Sequence, residues 1–207
     1  CGKSTFLKVI AGLLNPTKGS VHINPFRAET GIGYVPQAPQ LLPWRTLLQN
    51  VFIGSEISPK GYSAASLDRA CAMIQQFRLS GFEYSFPHQL SGGMAQRASL
   101  IRALQFNPSI LLCDEPFSAV DFVSRYEFNI LFRGMCSAMG VTAIVVTHNI
   151  EEAIYLSDTI VLMGGYPGTI LNKYNARPLP DRTDVVECRQ SNAFKEFFNE
   201  IWFDLGK

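Results

Sequence analysis

The sequence has no excess of charge of either sign and no long apolar run. Its 207 residues include 18 Lys and Arg against 17 Asp and Glu, a formal net charge of +1. Such a balance gives no indication of DNA, RNA or an anionic membrane surface as a partner. No apolar run approaches the roughly 18 residues that a membrane-spanning helix requires, so the sequence predicts no such helix.

Regularly spaced cysteine pairs are also missing. The five cysteines are odd in number and scattered, without any C-x-x-C spacing; they are Cys1, Cys71, Cys113, Cys136 and Cys188. This pattern argues against a disulfide framework and against a zinc site, and it suits a reducing cytosol. We expect these side chains to be small buried hydrophobes.

What is present is an alternation of short apolar runs with longer helical patterns. The runs rich in Val and Ile, which predict strands, are residues 32–35, 110–113, 141–147 and 159–163, with a briefer one at 21–23. The helical patterns cover residues 66–79, 93–106, 121–139 and 149–157. Near-continuous apolar strands that alternate with helices indicate a largely parallel sheet covered on both faces. The predicted fold class is therefore α/β.

Two parts of the chain depart from this alternation. Residues 41 to about 104 have helical periodicity and turn residues but no clear strand, which predicts a helical insertion into the α/β body. After residue 163, "GGYPGTILNKY" predicts a hairpin and "SNAFKEFFNEIWFDL" an amphipathic C-terminal helix.

The chain starts with "CGKST", followed by apolar residues at helical spacing, which are Phe6, Leu7, Ile10, Leu13 and Leu14. Gly2, Lys3 and Ser4 match the end of the phosphate-binding pattern G-x-x-x-x-G-K-[ST]. In that pattern backbone N–H groups cradle phosphates, the Lys reaches the β- and γ-phosphates and the hydroxyl holds Mg²⁺. A helix that begins here directs its positive dipole end toward a bound anion. The alternative is a Ser-capped helix with a solvated Lys.

"SILLCDEPFSAVD" places an apolar strand directly before Asp114 and Glu115. The carboxyl end of a strand is where an α/β sheet binds ligands, and an Asp there can reach Mg²⁺ in P-loop enzymes. Because side chains alternate along an extended segment, Glu115 is expected to point the other way and to polarise an attacking water. The alternative is two acids that end a strand and solvate a loop.

"QLSGGMAQRASLIRAL" begins a helix at Ser91, Gly92 and Gly93. Backbone N–H groups at such a positive helix end bind an anion well. The alternative is a plain Ser N-cap followed by flexible glycines.

Together these motifs resemble the nucleotide-binding subunits of ABC transporters. Over residues 1–150 the order is GKST, the Gln of YVPQ, LSGG, LLCDEP, SAVD and the His of VVTHN. In that family these are the Walker A motif, Q-loop, signature, Walker B motif, D-loop and switch His. The resemblance implies a P-loop NTPase of the RecA-like kind with an inserted ABC α-helical subdomain, in a chain that begins inside Walker A. It implies an ATP-binding core at 1–40 and 105–165 that lacks its first strands and the start of the P-loop, a helical subdomain at 41–104, and a C-terminal hairpin and helix at 166–207.

The resemblance implies ATP and Mg²⁺ as cofactors and an ATP-hydrolysing activity. Lys3 would contact β- and γ-phosphate oxygens, and Thr5 would touch the α-phosphate beside Gly2. Ser4 and Asp114 would hold Mg²⁺.

The implied catalytic residues are Glu115 as the base, His148 as a clamp on the γ-phosphate, and Gln37 as a sensor of the γ-phosphate and the metal. In the family the signature closes across a dimer on the ATP of the opposing subunit. The implied cofactor-binding set therefore also includes Ser91, Gly92, Gly93 and Asp121.

The segment 41–51 follows Gln37 directly. With "LSGGM" and "FFNEIW", its sequence "LLPWRTLLQNV" resembles the importer branch that serves nitrate, sulfonate, taurine and related solutes. There it receives a coupling helix of the transmembrane permease, a contact for which exposed aromatic and aliphatic residues are suited. The alternative is that Trp44 and Leu47 only pack the helical subdomain.

The implied partners are a second ATPase subunit, in a homodimer or pseudo-dimer, the permease, and indirectly a periplasmic or lipid-anchored solute-binding protein, with no nucleic acid. The implied location is the cytoplasmic face of the plasma membrane. Two other functions share these motifs. One is a non-transport ABC ATPase of the DNA-repair or translation type, and the other is an inactive fragment that acts only as an interaction module.

Overall fold

A computed structural model describes residues 2–23, 31–57, 63–176 and 185–206. The helices are α1 (Lys3–Ile10), α2 (Leu47–Ile57), α3 (Ala64–Gln76), α4 (Gly92–Gln105), α5 (Phe122–Ala138), α6 (Ile150–Leu156), α7 (Val185–Gln190) and α8 (Asn192–Leu205), with a short 3-10 helix at Pro87–Gln89. The strands are β1 (Ile32–Val35), β2 (Ile110–Asp114), β3 (Thr142–Val146), β4 (Thr159–Gly164) and β5 (Thr169–Asn175).

The central sheet is parallel, as predicted, with the strand order β1-β2-β3. Ile32 lies opposite Ile110, and Asp114 lies opposite Val146, so the carboxyl ends of all three strands meet at one edge. β4 and β5 form a separate antiparallel hairpin, so the hairpin predicted after residue 163 is present but also includes the run 159–163. The expectation that this run belongs to the parallel sheet is wrong, because the turn at 165–168 is too short for the crossover that parallel strands need. The strand predicted at 21–23 is absent. This short run has no strand partner among the described residues, and Val21 is exposed.

The first helix is shorter than its apolar pattern predicted. α1 ends at Ile10, and Gly12 follows in the left-handed conformation (φ +72°), which ends helices readily. Leu13 and Leu14 are therefore exposed beyond the helix. Gly2 is the N-cap and no side chain caps the helix, so the alternative of a Ser-capped helix is wrong. α1 contacts β2, the strand that ends in Asp114.

The main core lies between the central sheet and the helices α2 to α5. α4 approaches β1 closely because Gly33 has no side chain there. A Cβ at that position would lie 2.8 Å from Leu111 Cδ1 and 3.3 Å from the Ala103 carbonyl oxygen. The described part of 41–104 contains helices and no strand, as expected, while the domain boundaries stay a prediction.

A smaller core joins the β4–β5 hairpin to α6, α7 and α8. Asp204 on α8 accepts hydrogen bonds from the Tyr174 hydroxyl (2.6 Å) and the Asn172 amide (2.9 Å), which fix the helix to β5. α8 buries Phe194 and exposes Trp202, so its predicted amphipathic character is confirmed. None of the helices among the described residues is long and apolar enough to cross a membrane.

The four cysteines among the described residues follow the expected burial with one exception. Cys113, Cys136 and Cys188 are buried, whereas Cys71 is exposed because it lies on the face of α3 away from the core side of Met73 and Ile74. The fifth, Cys1, lies outside the described residues.

Candidate functional site

Three predicted residues meet where the central strands end. Gln37 follows β1, Glu115 follows β2 and His148 follows β3. The Gln37 amide donates a hydrogen bond to Glu115 Oε2 (3.2 Å), and His148 Nδ1 lies 3.0 Å from Glu115 Oε1. Residues far apart in the sequence are thus joined through a single carboxylate.

The direction of Glu115 is set by its backbone. β2 ends at Asp114, and Glu115 has a φ of +49°, in the left-handed region that non-glycine residues rarely adopt. Its N–H donates to the Val146 carbonyl (2.8 Å), and its own carbonyl accepts from the Ser118 N–H (3.2 Å) and hydroxyl (3.0 Å). The expectation that strand alternation orients Glu115 is therefore wrong, because the residue is not extended.

Asp114 is the buried acid of the site, with 5% of its surface exposed. Burial and the nearby Asp114 carboxylate raise the pKa of Tyr34. α1 carries Lys3, Ser4 and the exposed Thr5 in its first turn and packs on the strand of Asp114, which brings the phosphate-binding motif to this sheet. Within the described ranges no three His, Cys, Asp or Glu side chains group as metal ligands.

The signature residues begin α4 as predicted. Ser91 is the N-cap and accepts from the Met94 N–H (3.3 Å), so a Ser cap is present whatever else the motif does. A Cβ on Gly93 would lie 3.1 Å from the Ala119 carbonyl oxygen, so the start of α4 is close to the loop that leads to Asp121. Asp121 caps α5 by accepting from the Ser124 N–H (2.9 Å).

Two residues of α4 hold the loop around Gln37, and sequence reasoning missed both. Gln96 donates to the Pro36 carbonyl (3.3 Å), and Arg102 donates to the Gln40 carbonyl (2.6 Å). The helical pattern showed that α4 would form but carried no signal for these long-range contacts.

A third missed group lies next to His148. Thr147 donates to the carboxylate of Glu152, which is 5% exposed, and Asn149 accepts from the Glu152 N–H (3.1 Å). Burial raises the pKa of Glu152, and the Thr147 hydrogen bond opposes that shift. The Asn-x-x-Glu spacing is that of a helix N-cap followed by an N3 acid, a signal that could have found the pair.

The segment 41–51 has one buried side and one exposed side. Leu47 is fully buried, which confirms the packing alternative for that residue. Trp44 is 70% exposed, so packing does not account for it. The buried Asn50 amide accepts from the Leu42 N–H (2.7 Å) and donates to the carbonyls of Leu42, Arg45 and Thr46, which orders the turn that carries Trp44.

Comparison with known proteins defines the class of protein. The sequence pattern of the ABC transporter family matches residues 1–118. The chain belongs to this family as an ATP-binding subunit of the ABC ATPase class, which confirms the resemblance.

Two relatives from bacteria match nearly the whole chain. The ABC transporter ATP-binding protein YtlC of Bacillus subtilis is 41% identical over 215 residues, which cover 100% of this chain and 80% of YtlC. The aliphatic sulfonates import ATP-binding protein SsuB 1 of Pseudomonas aeruginosa is 40% identical over 209 residues, covering 95% and 81% of the two chains.

Solved structures confirm the fold class. The dimeric structure of MJ0796, a bacterial ABC transporter cassette, has a TM-score of 0.74 at 30% identity and covers 85% of this chain and 81% of its own. The same cassette in a dimeric post-hydrolysis state bound to ADP and Pi has a TM-score of 0.73 at 29% identity, with the same coverage.

Proposed function

We propose that this chain is the ATP-binding and ATP-hydrolysing subunit of an ABC importer and couples hydrolysis to the uptake of a small solute of the nitrate, sulfonate or taurine type. The observation that carries the proposal is the Glu115 carboxylate, contacted by Gln37 at 3.2 Å and by His148 at 3.0 Å. A carboxylate held at the carboxyl edge of a parallel sheet suits a base that orients water. The similarity to sulfonate import ATPases supports the importer branch.

ATP binds at the first turn of α1 in this proposal. Gly2, Lys3 and Thr5 receive the phosphates, and the positive end of the helix dipole favours their charge. The residues that would hold Mg²⁺ are Ser4, Gln37 and Asp114. Hydroxyl, amide and carboxylate oxygens are the donors that Mg²⁺ prefers, so this set fits the ion. When bound, Mg²⁺ neutralises charge on the phosphate oxygens.

Glu115 acts as the base in the proposed hydrolysis. It orients the attacking water and accepts its proton, while Gln37 fixes one carboxylate oxygen and His148 approaches the other. His148, whose side chain is 68% exposed, is open to the γ-phosphate. Both neighbours of Glu115 therefore keep the base in one orientation.

The remaining predicted residues face other subunits in this proposal. Ser91, Gly92, Gly93 and Asp121 close on the ATP of a second copy, which the dimeric MJ0796 cassettes support. Trp44 contacts the transmembrane permease at the cytoplasmic face of the plasma membrane. The solute itself does not touch this chain.

The test is the ATPase activity of Glu115→Gln. Loss of a general base lowers turnover about a hundredfold or more. Glu127→Gln is the matched control, because Glu127 is an exposed acid on α5 that pairs with Arg78 at 2.8 Å and lies outside the site. Turnover of Glu115→Gln within about a factor of two of the unchanged protein contradicts the assignment.

A further inference from the structure

Three hydrogen bonds join Thr147, Asn149 and Glu152, the residues next to His148, in a closed ring. The Asn149 N–H donates to Thr147 Oγ1 (3.0 Å), the Thr147 hydroxyl donates to Glu152 Oε2, and the Glu152 N–H donates to Asn149 Oδ1 (3.1 Å). Since Thr147 and Asn149 flank His148 in the chain, the ring fixes the backbone on both sides of it.

The side chain of His148 has little else to hold it. It is 68% exposed, and its imidazole Nδ1 lies 3.0 Å from Glu115 Oε1. An exposed side chain gains little orientation from packing, so its position follows from the backbone that carries it. The geometry of the contact between His148 and Glu115 therefore depends on the hydrogen bonds that join Thr147, Asn149 and Glu152.

Glu152 is an unfavourable choice for stability alone. Its carboxyl group is buried, and Oε1 has no hydrogen-bond partner among the residues that the structure describes. Apolar residues of similar volume stabilise a protein interior as well as or better than buried acids. An N3 acid usually reaches back to the N-cap backbone, but here Glu152 turns to the Thr147 hydroxyl instead.

We infer that Thr147 and Glu152 are positioning residues that hold His148 against Glu115. This inference rests on the proposed function of His148. Thr147 Oγ1 has to donate to Glu152 and accept from Asn149 at the same time. A hydroxyl can do both and a methyl group can do neither. Thr147→Ser therefore preserves the ring, and the nearly isosteric Thr147→Val opens it.

The first measurement is steady-state ATP hydrolysis by the full chain as its gene encodes it. Thr147→Val is expected to lower kcat about tenfold with little change in KM, because small displacements of catalytic groups slow chemistry strongly. Thr147→Ser and Glu152→Gln, which keep the donor and the acceptor, are expected to stay near the unchanged protein. Thr142→Val is the matched control, the same substitution at the exposed start of β3.

The second measurement reads the position of His148 without activity. The 207 residues contain three histidines, His22, His88 and His148, and comparison with His148→Ala assigns the ¹⁵N-labelled ring signals of His148 by NMR. Thr147→Val is expected to shift or broaden the His148 signals and to leave the other two unchanged. Melting temperatures identify any variant that loses its fold, in which case Glu152→Leu, which removes the acceptor, replaces Thr147→Val.

Combining Thr147→Val with His148→Ala distinguishes failure of the positioning role from failure of the proposed role of His148. If His148→Ala keeps full kcat, the proposed role of His148 fails, whatever the NMR signals show. If His148→Ala loses activity and Thr147→Val lowers kcat no further in that background, the positioning role is supported. If Thr147→Val leaves kcat and the His148 signals unchanged, or lowers kcat equally with and without His148, the inference is overturned and the proposed function stands.

Discussion

The side-chain amide of Gln37 donates a 3.2 Å hydrogen bond to Glu115, which lies 78 positions further along the chain. A hydrogen bond to a charged group contributes about 1.5 to 3 kcal/mol, equivalent to about tenfold or more in rate. We therefore expect Gln37→Leu to lower kcat by at least that factor and to raise the Mg²⁺ concentration required for half-maximal ATPase. Gln76→Leu, at the exposed end of α3, is the control. An unchanged Mg²⁺ requirement argues against Gln37 as a metal ligand.

Glu115→Gln is also expected to accumulate as an ATP-bound dimer. Without the base, bound ATP is not hydrolysed and the closed state persists. Light scattering coupled to gel filtration with Mg-ATP measures the mass directly. Adding Ser91→Arg to Glu115→Gln should return the protein to monomer, because the larger side chain blocks the surface proposed to meet the second copy. A double variant that still dimerises with ATP places the dimer contact elsewhere.

Trp44→Glu tests the permease contact. An interface aromatic typically contributes about 2 kcal/mol or more, so co-purification with the permease should fall about 30-fold or more. Because Trp44 is 70% exposed, the melting temperature and the ATPase of the isolated subunit should stay unchanged. Tyr166→Glu is the matched control, since Tyr166 is a fully exposed aromatic residue in the turn of the β4–β5 hairpin. A destabilised, inactive Trp44→Glu, or equal loss of co-purification in both variants, contradicts the role.

The stability of the protein at alkaline pH should depend on two tyrosines whose pKa is raised, Tyr126 and Tyr174. Burial, reinforced by a hydrogen bond to Glu151 and to Asp204 respectively, raises the pKa of Tyr126 and of Tyr174 to about 12. Unfolded tyrosine ionises near pH 10, so above that pH the unfolded state loses protons that the folded state keeps. The free energy of unfolding should therefore fall between about pH 10 and 12.

Phenolate absorbance and urea unfolding at several pH values measure both effects. Tyr126→Phe and Tyr174→Phe should each flatten the fall, while Tyr166→Phe, at a fully solvated hairpin position, should not. Equal slopes in all three variants contradict the assignment.

The parallel strands could be predicted because short apolar runs alternate with helical patterns along the chain, and the central strand β2 is buried along most of its length. The bounds of β1 match the predicted run 32–35, and His148 was expected beside Glu115. Local patterns carry less information about backbone conformation. The positive φ of Glu115 depends on its N–H bond to the Val146 carbonyl, a contact that forms only when β2 and β3 pair.

Burial of single polar residues was also beyond the sequence. Glu152 lies in a polar stretch whose residues are normally solvated, yet it is 5% exposed and accepts a hydrogen bond from the Thr147 hydroxyl. Trp44 shows the reverse case. The sequence left an exposed contact and a packed position open for this residue, and the turn fixed by Asn50 leaves it in solvent.

The two hydrogen bonds from α4 to the loop of Gln37 couple the movement of the helix to that of the loop. The helix has 14 residues and is about 21 Å long. The signature lies at its start. Gln96 and Arg102 donate hydrogen bonds to the carbonyls of Pro36 and Gln40, one on each side of Gln37. A tilt of α4 that moves Ser91 toward a second subunit would therefore also displace the loop from Pro36 to Gln40, which contains Gln37. Because Gln37 donates a hydrogen bond to Glu115, contact of the signature with a second subunit would also change the position of the Glu115 carboxylate.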